Sequence, residues 1–165
     1  MRLVTGMGPS PGLNVCSEDA IMTLEASTTC LAGDCLAVDM TAVDSSLRYY
    51  KVRDPVTADF LSATTAANAQ SWMCIALETQ GTAGGNVRVR LVGEVDALIE
   101  DTSLSIGAKL SPKNASNVLD THATAAGTGN RAVGILLEAT TSTSQIKKVY
   151  FDGIHGVGFM ITNAS

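Results

Sequence analysis

Aromatic side chains are scarce in this chain, at 4% of 165 residues, with one Trp, three Tyr and three Phe. Any core must therefore be built from Val, Leu, Ile, Ala and Met. Charge is scarce as well. Asp, Glu, Lys and Arg make up 16% of the chain, against about 25% in an ordinary soluble protein. Ala, Thr, Ser and Gly fill the gap. They give a surface of short side chains that suits close packing against neighbouring chains better than it suits an enzyme cleft. The net charge is −5, and no cluster of Lys and Arg tracks a phosphate backbone, which argues against a nucleic-acid partner. Arg88 and Arg90 share one strand face, and Lys147-Lys148 stand as a lone pair. They read as solvated face charges.

Long apolar runs are missing too. No segment approaches the roughly 20 apolar residues of a membrane-spanning helix, and no signal-peptide pattern follows Met1-Arg2. The expectation is a soluble chain, made in a cytoplasm and without a membrane partner. The four cysteines, Cys16, Cys30, Cys35 and Cys74, all lie in the first half. Cys30 and Cys35 have C-x4-C spacing, formally within zinc range, but no second close pair accompanies them. Cys35 and Cys74 fall in apolar runs, where Cys behaves as a small hydrophobe. His122 and His155 lack ligand-like neighbours. No metal and no cofactor are expected.

Catalytic constellations are also absent. Gly8-Pro9-Ser10-Pro11-Gly12 matches G-x-S-x-G formally. A nucleophile elbow, however, takes an oxyanion donor from the N–H after the serine, and Pro11 has none. The loops Gly81–Gly85 and Gly127–Gly129 are not followed by Lys-Ser/Thr or a helix, so they read as turns rather than phosphate cradles. Glu78 and Glu138 occupy matching positions and read as one strand-end residue duplicated. His122 has no Ser or Cys partner suggested by the sequence. Asn114-Ala115-Ser116 and Asn163-Ala164-Ser165 are glycosylation sequons, idle in a chain that stays in a cytoplasm. No catalytic residue is assigned, and the chain is not expected to be an enzyme.

What the chain does have is period-two alternation. Residues 72–95 read WMCIALETQGTAGGNVRVRLVGEV. Val87, Val89 and Leu91 face one side and Arg88 and Arg90 the other, which predicts a half-buried strand closing a long antiparallel hairpin. The pattern returns at 132–154, AVGILLEATTSTSQIKKVYFDGI. Aligned without a gap, Ile75 meets Ile135, Glu78 meets Glu138, Val89 meets Val149 and Gly93 meets Gly153. Gly33-Asp34-Cys35-Leu36 likewise matches Gly107-Ala108-Lys109-Leu110. The reading is a mainly β chain: a small β-barrel or sandwich built from two related hairpin units, pseudo-repeats 28–95 and 102–154. Whether they form one barrel or two lobes is left open.

Residues 1–27 lie outside the repeat and read as an extended N-terminal arm followed by a first strand near Ala20–Ala26; residues 28–165 form the β-rich domain. Pro9 and Pro11 hold the arm extended. Further strands are expected near Cys35, at Leu47–Val52 and at Ala97–Ile99. Residues 57–71 read as a long loop or one helical turn, and 111–131 as a surface loop. Trp72 is expected to start a core hairpin. The apolar tail at Phe159, Met160 and Ile161 forms a last strand or a contact with a partner.

The progression Gly33-Asp34-x-Leu36, Ile75-Ala76-Leu77-Glu78 and Val87-x-Val89-x-Leu91-x-Gly93, with its second copy at Gly107, at Gly134–Glu138 and at Val149–Gly153, resembles that of tailed-bacteriophage capsid decoration (cement) proteins. The chain departs from it at Ala108, where the Asp of the motif is missing, and in showing two units rather than one. The resemblance implies a β-tulip-like barrel and a virion structural protein. It implies a place on the outer surface of an expanded head, with the major capsid protein as partner and a homotrimer as assembly. It also implies that the arm, with Arg2, Leu3, Val4, Met7, Pro9, Pro11 and Leu13, contacts the capsid, and that Phe159, Met160 and Ile161 contact the trimer. The alternative from the residues alone is a receptor- or glycan-binding β-module of a fibre or tail. Its candidates for sugar stacking are Trp72, Tyr49 and Tyr50.

Overall fold

The computed structural model describes residues 21–43, 50–56, 59, 71–113, 116–122 and 131–157. These hold ten strands: β1 (Ile21–Ala26), β2 (Cys35–Val43), β3 (Tyr50–Arg53), β4 (Met73–Ala76), β5 (Asn86–Arg90), β6 (Val92–Ile99), β7 (Lys109–Pro112), β8 (Leu119–Thr121), β9 (Gly134–Leu136) and β10 (Gln145–Asp152). They close into two five-stranded barrels. Read from its first strand, each has the same order: β1-β3-β2-β4-β5 and β6-β8-β7-β9-β10. The protein is thus mainly β, and the two units are two barrels rather than one.

The duplication seen in the sequence is a duplication of backbone register. In the first barrel Ile75 pairs with Arg90 and Ala76 with Val89. Sixty positions on, Ile135 pairs with Tyr150 and Leu136 with Val149. Gly33 N–H donates to Ala76 O at 2.8 Å, and Gly107 N–H to Leu136 O at 2.8 Å. Leu77 N–H reaches Arg88 O at 2.8 Å, and Leu137 N–H reaches Lys148 O at 2.9 Å. In both barrels the closing pair is parallel and short. β1 meets β3 through Glu25–Lys51 and Ala26–Val52, and β6 meets β8 through Ile99–Leu119.

Several expectations need correction. The first hairpin is short, because only two residue pairs join β4 to β5. The alternation from Val87 to Ile99 runs on without a break, but Val87, Val89 and Leu91 enter the first core while Val95, Ala97 and Ile99 enter the second. The chain changes barrels at Gly93, where φ is +116°. The structural units therefore begin at Ile21 and Val92, each one strand earlier than 28 and 102. The stretch 111–131 is not all surface loop: β7 runs to Pro112, and β8 sends Leu119 into the core with no residual exposure. Three residues are too few for a periodic pattern to show. Trp72 precedes β4 and is 40% exposed, so it is not a core residue.

Alternate residues of the two strands β2 and β4 explain how the barrels join. Leu36, Val38, Cys74 and Ala76 point into the first barrel's core. Cys35, Ala37, Met73 and Ile75, on the other face, belong to one cluster with Val95, Ile99, Leu110, Leu136 and Phe151. A strand buried on both faces reads as an unbroken apolar run, which is what MCIA is, with all four residues buried. This wall serves two cores.

Candidate functional site

Backbone contacts along this wall tie the barrels together. Leu98 N–H donates to Gly33 O at 2.9 Å, and Cys35 N–H donates to Asn117 O at 2.8 Å. The segment leading into β2 thus lies between β6 and the approach to β8, where the parallel closure of the second barrel is incomplete. Further along, Met73 N–H donates to Gly153 O at 2.9 Å, and Gly153 N–H donates to Leu91 O at 2.8 Å. A Cβ on Gly153 would collide with the Met73 carbonyl, so only glycine permits this approach. Gly33 is held to glycine by its left-handed backbone, at φ +94°, while the tip of Ile146, 2.6 Å from where a Cβ would lie, could give way.

Beside Gly33 the seam opens into a groove of about 440 Å³. The first barrel lines it with Ala32, Gly33, Ala76, Leu77 and Arg90, and the second with Glu94, Val95, Asp96, Ile146 and Lys148. Its second-barrel wall is an edge of β6. Residues of an antiparallel pair alternate between bonding their partner strand and facing away from it. Leu98 N–H bonds Gly33 rather than β10, so Asp96 and Glu94, two and four positions back, also turn their backbone groups away from β10 and toward the groove. Among the described residues, β8 pairs with β6 at Ile99 alone. Arg90 Nε is buried with no hydrogen-bond partner.

A second recess lies nearby, lined by Thr29, Cys30, Leu31, Asp34, Gln80 and Asn117. Asp34 is buried and accepts from Leu31 N–H at 2.8 Å and from Asn117 Nδ2 at 3.4 Å. Burial pushes its carboxyl above the usual range against these two donors. Asp34 spans both barrels. Ala108 stands at the matching point of the second barrel and has no carboxylate to offer there.

The groups weighed for chemistry fall out as follows. Cys30, Cys35 and Cys74 are free and buried, and burial pushes all three thiols up, which makes them poor nucleophiles. Glu78 accepts from Arg88 N–H at 2.9 Å, while Glu138 is exposed on the matching turn of the other barrel. His122 does have a serine partner that the sequence hid: Ser111 Oγ lies 2.7 Å from its Nδ1. The two meet across the β7–β8 ladder, eleven residues apart. Burial, then Lys109, holds the imidazole below its ordinary value, and no carboxylate among the described residues hydrogen-bonds to the pair. Another unforeseen contact is a lock on the first barrel. Arg53 grips Asp59 with two bonds, at 2.6 and 2.8 Å, and Ser71 Oγ and Val56 N–H add 2.7 and 2.8 Å. No group of three His, Cys, Asp or Glu among the described residues is placed to hold a metal. No helix among them is long and apolar enough to cross a membrane.

The residues expected to contact a capsid or a trimer partner, Arg2 to Leu13 and Phe159 to Ile161, lie outside the described residues, as do Ser10 and Gly127–Gly129. What the structure brings together instead is the seam, with its open strand edge. It has no separate sequence signal, because its working groups are backbone atoms.

By fold, the chain is a tandem of two five-stranded β-barrels joined through a shared wall. No family model matches it, and no curated protein matches it. Among solved structures it is similar to the head fiber gp8.5 N base in bacteriophage phi29, at 13% identity and a TM-score of 0.48, over 80% of this chain and 92% of that one.

Proposed function

We propose that the chain is a capsid decoration protein: a non-catalytic virion component, made in the host cytoplasm, that sits on the outer surface of an expanded phage head and bridges neighbouring major capsid protein subunits. The observation that carries this reading is the decoration-protein progression of motifs, which falls at the same strand positions in both barrels. The low charge and short side chains of the surface agree with a protein that packs against a lattice. Bridging adjacent capsomers raises the barrier to shell rupture under the pressure of the packaged genome. In this reading the arm at residues 1–15 grips the shell by adding a strand to an exposed edge, which needs backbone groups more than side-chain chemistry. Three copies meet at three-fold positions.

The test is co-sedimentation of the purified chain with undecorated, expanded capsids of its source virus, scoring bound copies per capsid. Saturable binding in multiples of three per lattice site is expected. Removal of residues 1–15 is expected to abolish it with the β-core intact. Full occupancy by the truncated chain would sink the arm assignment. A second reading, a glycan-binding module of a fibre or tail, gains from the exposure of Trp72 and Tyr50, at 40% and 44%. A folded chain that ignores capsids but binds a glycan array, with loss on Trp72→Ala, would replace the first reading.

A further inference from the structure

The parallel closures of the two barrels carry the same side-chain clasp with its polarity reversed. Register fixes the correspondence. Ala26 pairs with Val52 in the first closure, and Ile99 with Leu119 in the second. One step on, Ser27 N–H donates to Val52 O at 2.7 Å, and Glu100 N–H donates to Leu119 O at 2.9 Å. Thr28 therefore matches Asp101, Arg53 matches Asp120 and Asp54 matches Thr121. Across the ladders to β2 and β7, Asp39 matches Lys113.

Each contact recurs with its two roles exchanged. In the first barrel Thr28 Oγ1 donates to Asp54 Oδ1 at 3.0 Å. In the second, the Thr121 hydroxyl donates to Asp101, and the Thr121 N–H reaches the same carboxylate at 3.2 Å. Arg53 Nε lies 3.4 Å from Asp39 Oδ2, while Lys113 Nζ lies 3.9 Å from Asp120 Oδ2. Partly exposed pairs of this kind add little to stability. Their value lies in the choice of partner.

The apolar part of the closures does not make that choice. β3 sends Val52 into its core, and β8 sends Leu119 into its own at the same register. The polar part does. β8 in the first closure would set Asp120 beside Asp39 and Thr121 against Thr28, with no carboxylate for either hydroxyl. It would also take Arg53 away from the buried Asp59 and Lys51 away from Glu25. β3 in the second closure would set Arg53 beside Lys113, which already holds Glu100 at 2.5 Å, and Asp54 beside Asp101. Like charges set against each other across strands are unfavourable.

We infer that the reversed polarity is a pairing code: it keeps β3 and β8, the closing strands of two barrels with one topology, each in its own barrel, and blocks their exchange within a chain or between copies. Misassembly and swapping are characteristic failures of tandem units. A mismatch built against the wrong partner separates surfaces that are otherwise alike.

The experiment makes the polarity uniform. The variant Asp101→Thr/Lys113→Asp/Asp120→Arg/Thr121→Asp gives the second closure the polarity of the first and leaves both of its contacts complementary. As purified from cells, it is expected to melt within about 5 °C of the wild type. After complete denaturation and dilution into buffer, its recovery of native elution on size exclusion is expected to fall at least about twofold below that of the wild type treated alike. Should this variant not fold, Lys113→Asp/Asp120→Arg alone goes through the same comparison, with the same loss expected. Equal recovery overturns the inference. A larger fall in melting temperature overturns it too, because the side chains would then not act as exchangeable pairs.

Discussion

The two barrels share a strand order and a register but complete their cores differently. Among the described residues, the first barrel's cluster draws on its own unit, with Val92 and Ile154 packed against it from outside. The second barrel's cluster includes Cys35, Ala37, Met73 and Ile75, all from the first. At the matching points of its own sheet the second barrel has Lys109, which is exposed, Ser111, which is tied to His122, and Val133 and Ile135. The outer face of that sheet is therefore no copy of the first. Duplication of a fold does not duplicate its self-sufficiency: one unit carries the wall, and the other leans on it.

The widest break in this comparison is to divide the chain at Leu91. Residues 92–165 alone are expected to show no cooperative thermal transition, since part of their core is missing. Residues 1–91 are expected to keep β-sheet circular dichroism while binding a hydrophobic dye through the bared wall. A cooperative transition in the isolated second half would refute the asymmetry. A single substitution sharpens it. Ile75→Ala removes a fully buried side chain and is expected to cost about 2–5 kcal/mol, whereas Ile135→Ala, at the matching half-exposed position, is expected to cost about 1 kcal/mol or less. Chemical denaturation of both variants gives the ratio, and equal losses would mean that the wall is not shared. Gly153→Ala pushes a methyl against the Met73 carbonyl and is expected to cost about 3 kcal/mol.

A smaller effect concerns the lock at Asp59. Burial raises its carboxyl, but the Arg53 guanidinium, Val56 N–H and Ser71 hydroxyl outweigh burial and leave it below the ordinary value. A carboxyl lowered in the folded state binds fewer protons there than in the unfolded chain. Its contribution is therefore present above about pH 4 and lost as pH falls through the folded-state value. Breaking a fully buried pair costs about 3–5 kcal/mol, and the partial exposure of Arg53 reduces that to about 2 for Asp59→Asn. The variant is expected to flatten the acid limb of the stability curve, and an unchanged acid limb would count against the lock. The smallest effect is Asp34→Ala, which gives the first barrel the residue of the second. It strands the Leu31 N–H and is expected to cost about 1 kcal/mol, less at high pH, where ionising the raised carboxyl already weakens the wild type.

The fold was legible where alternation and repetition coincide. Ile75 with Ile135 and Val89 with Val149 announced the two units, and Gly33-Asp34 announced the turn into β2. The boundary between units was not legible, because the odd positions from Val87 to Ile99 stay apolar while changing cores, and periodicity reports burial rather than destination. β8 was hidden because three residues carry no period. The role of Asp34, where the second copy has Ala108, becomes intelligible only with the seam in view: Asp34 bonds across to Asn117 of the other barrel. The candidate site was illegible for a plainer reason. A strand edge is made of atoms common to every residue, so Glu94 and Asp96 look in sequence like ordinary solvated charges.

The shared wall also has a consequence in time. A chain emerges from the ribosome with its N-terminus first, and domains fold largely in that order. β2 and β4, which complete the second barrel, are made before β6 appears. The first barrel can close while its outer face waits, and the second then assembles on a surface already in place. A permuted chain starting at Val92 would reverse this order, and the second barrel would leave the ribosome before the wall it needs.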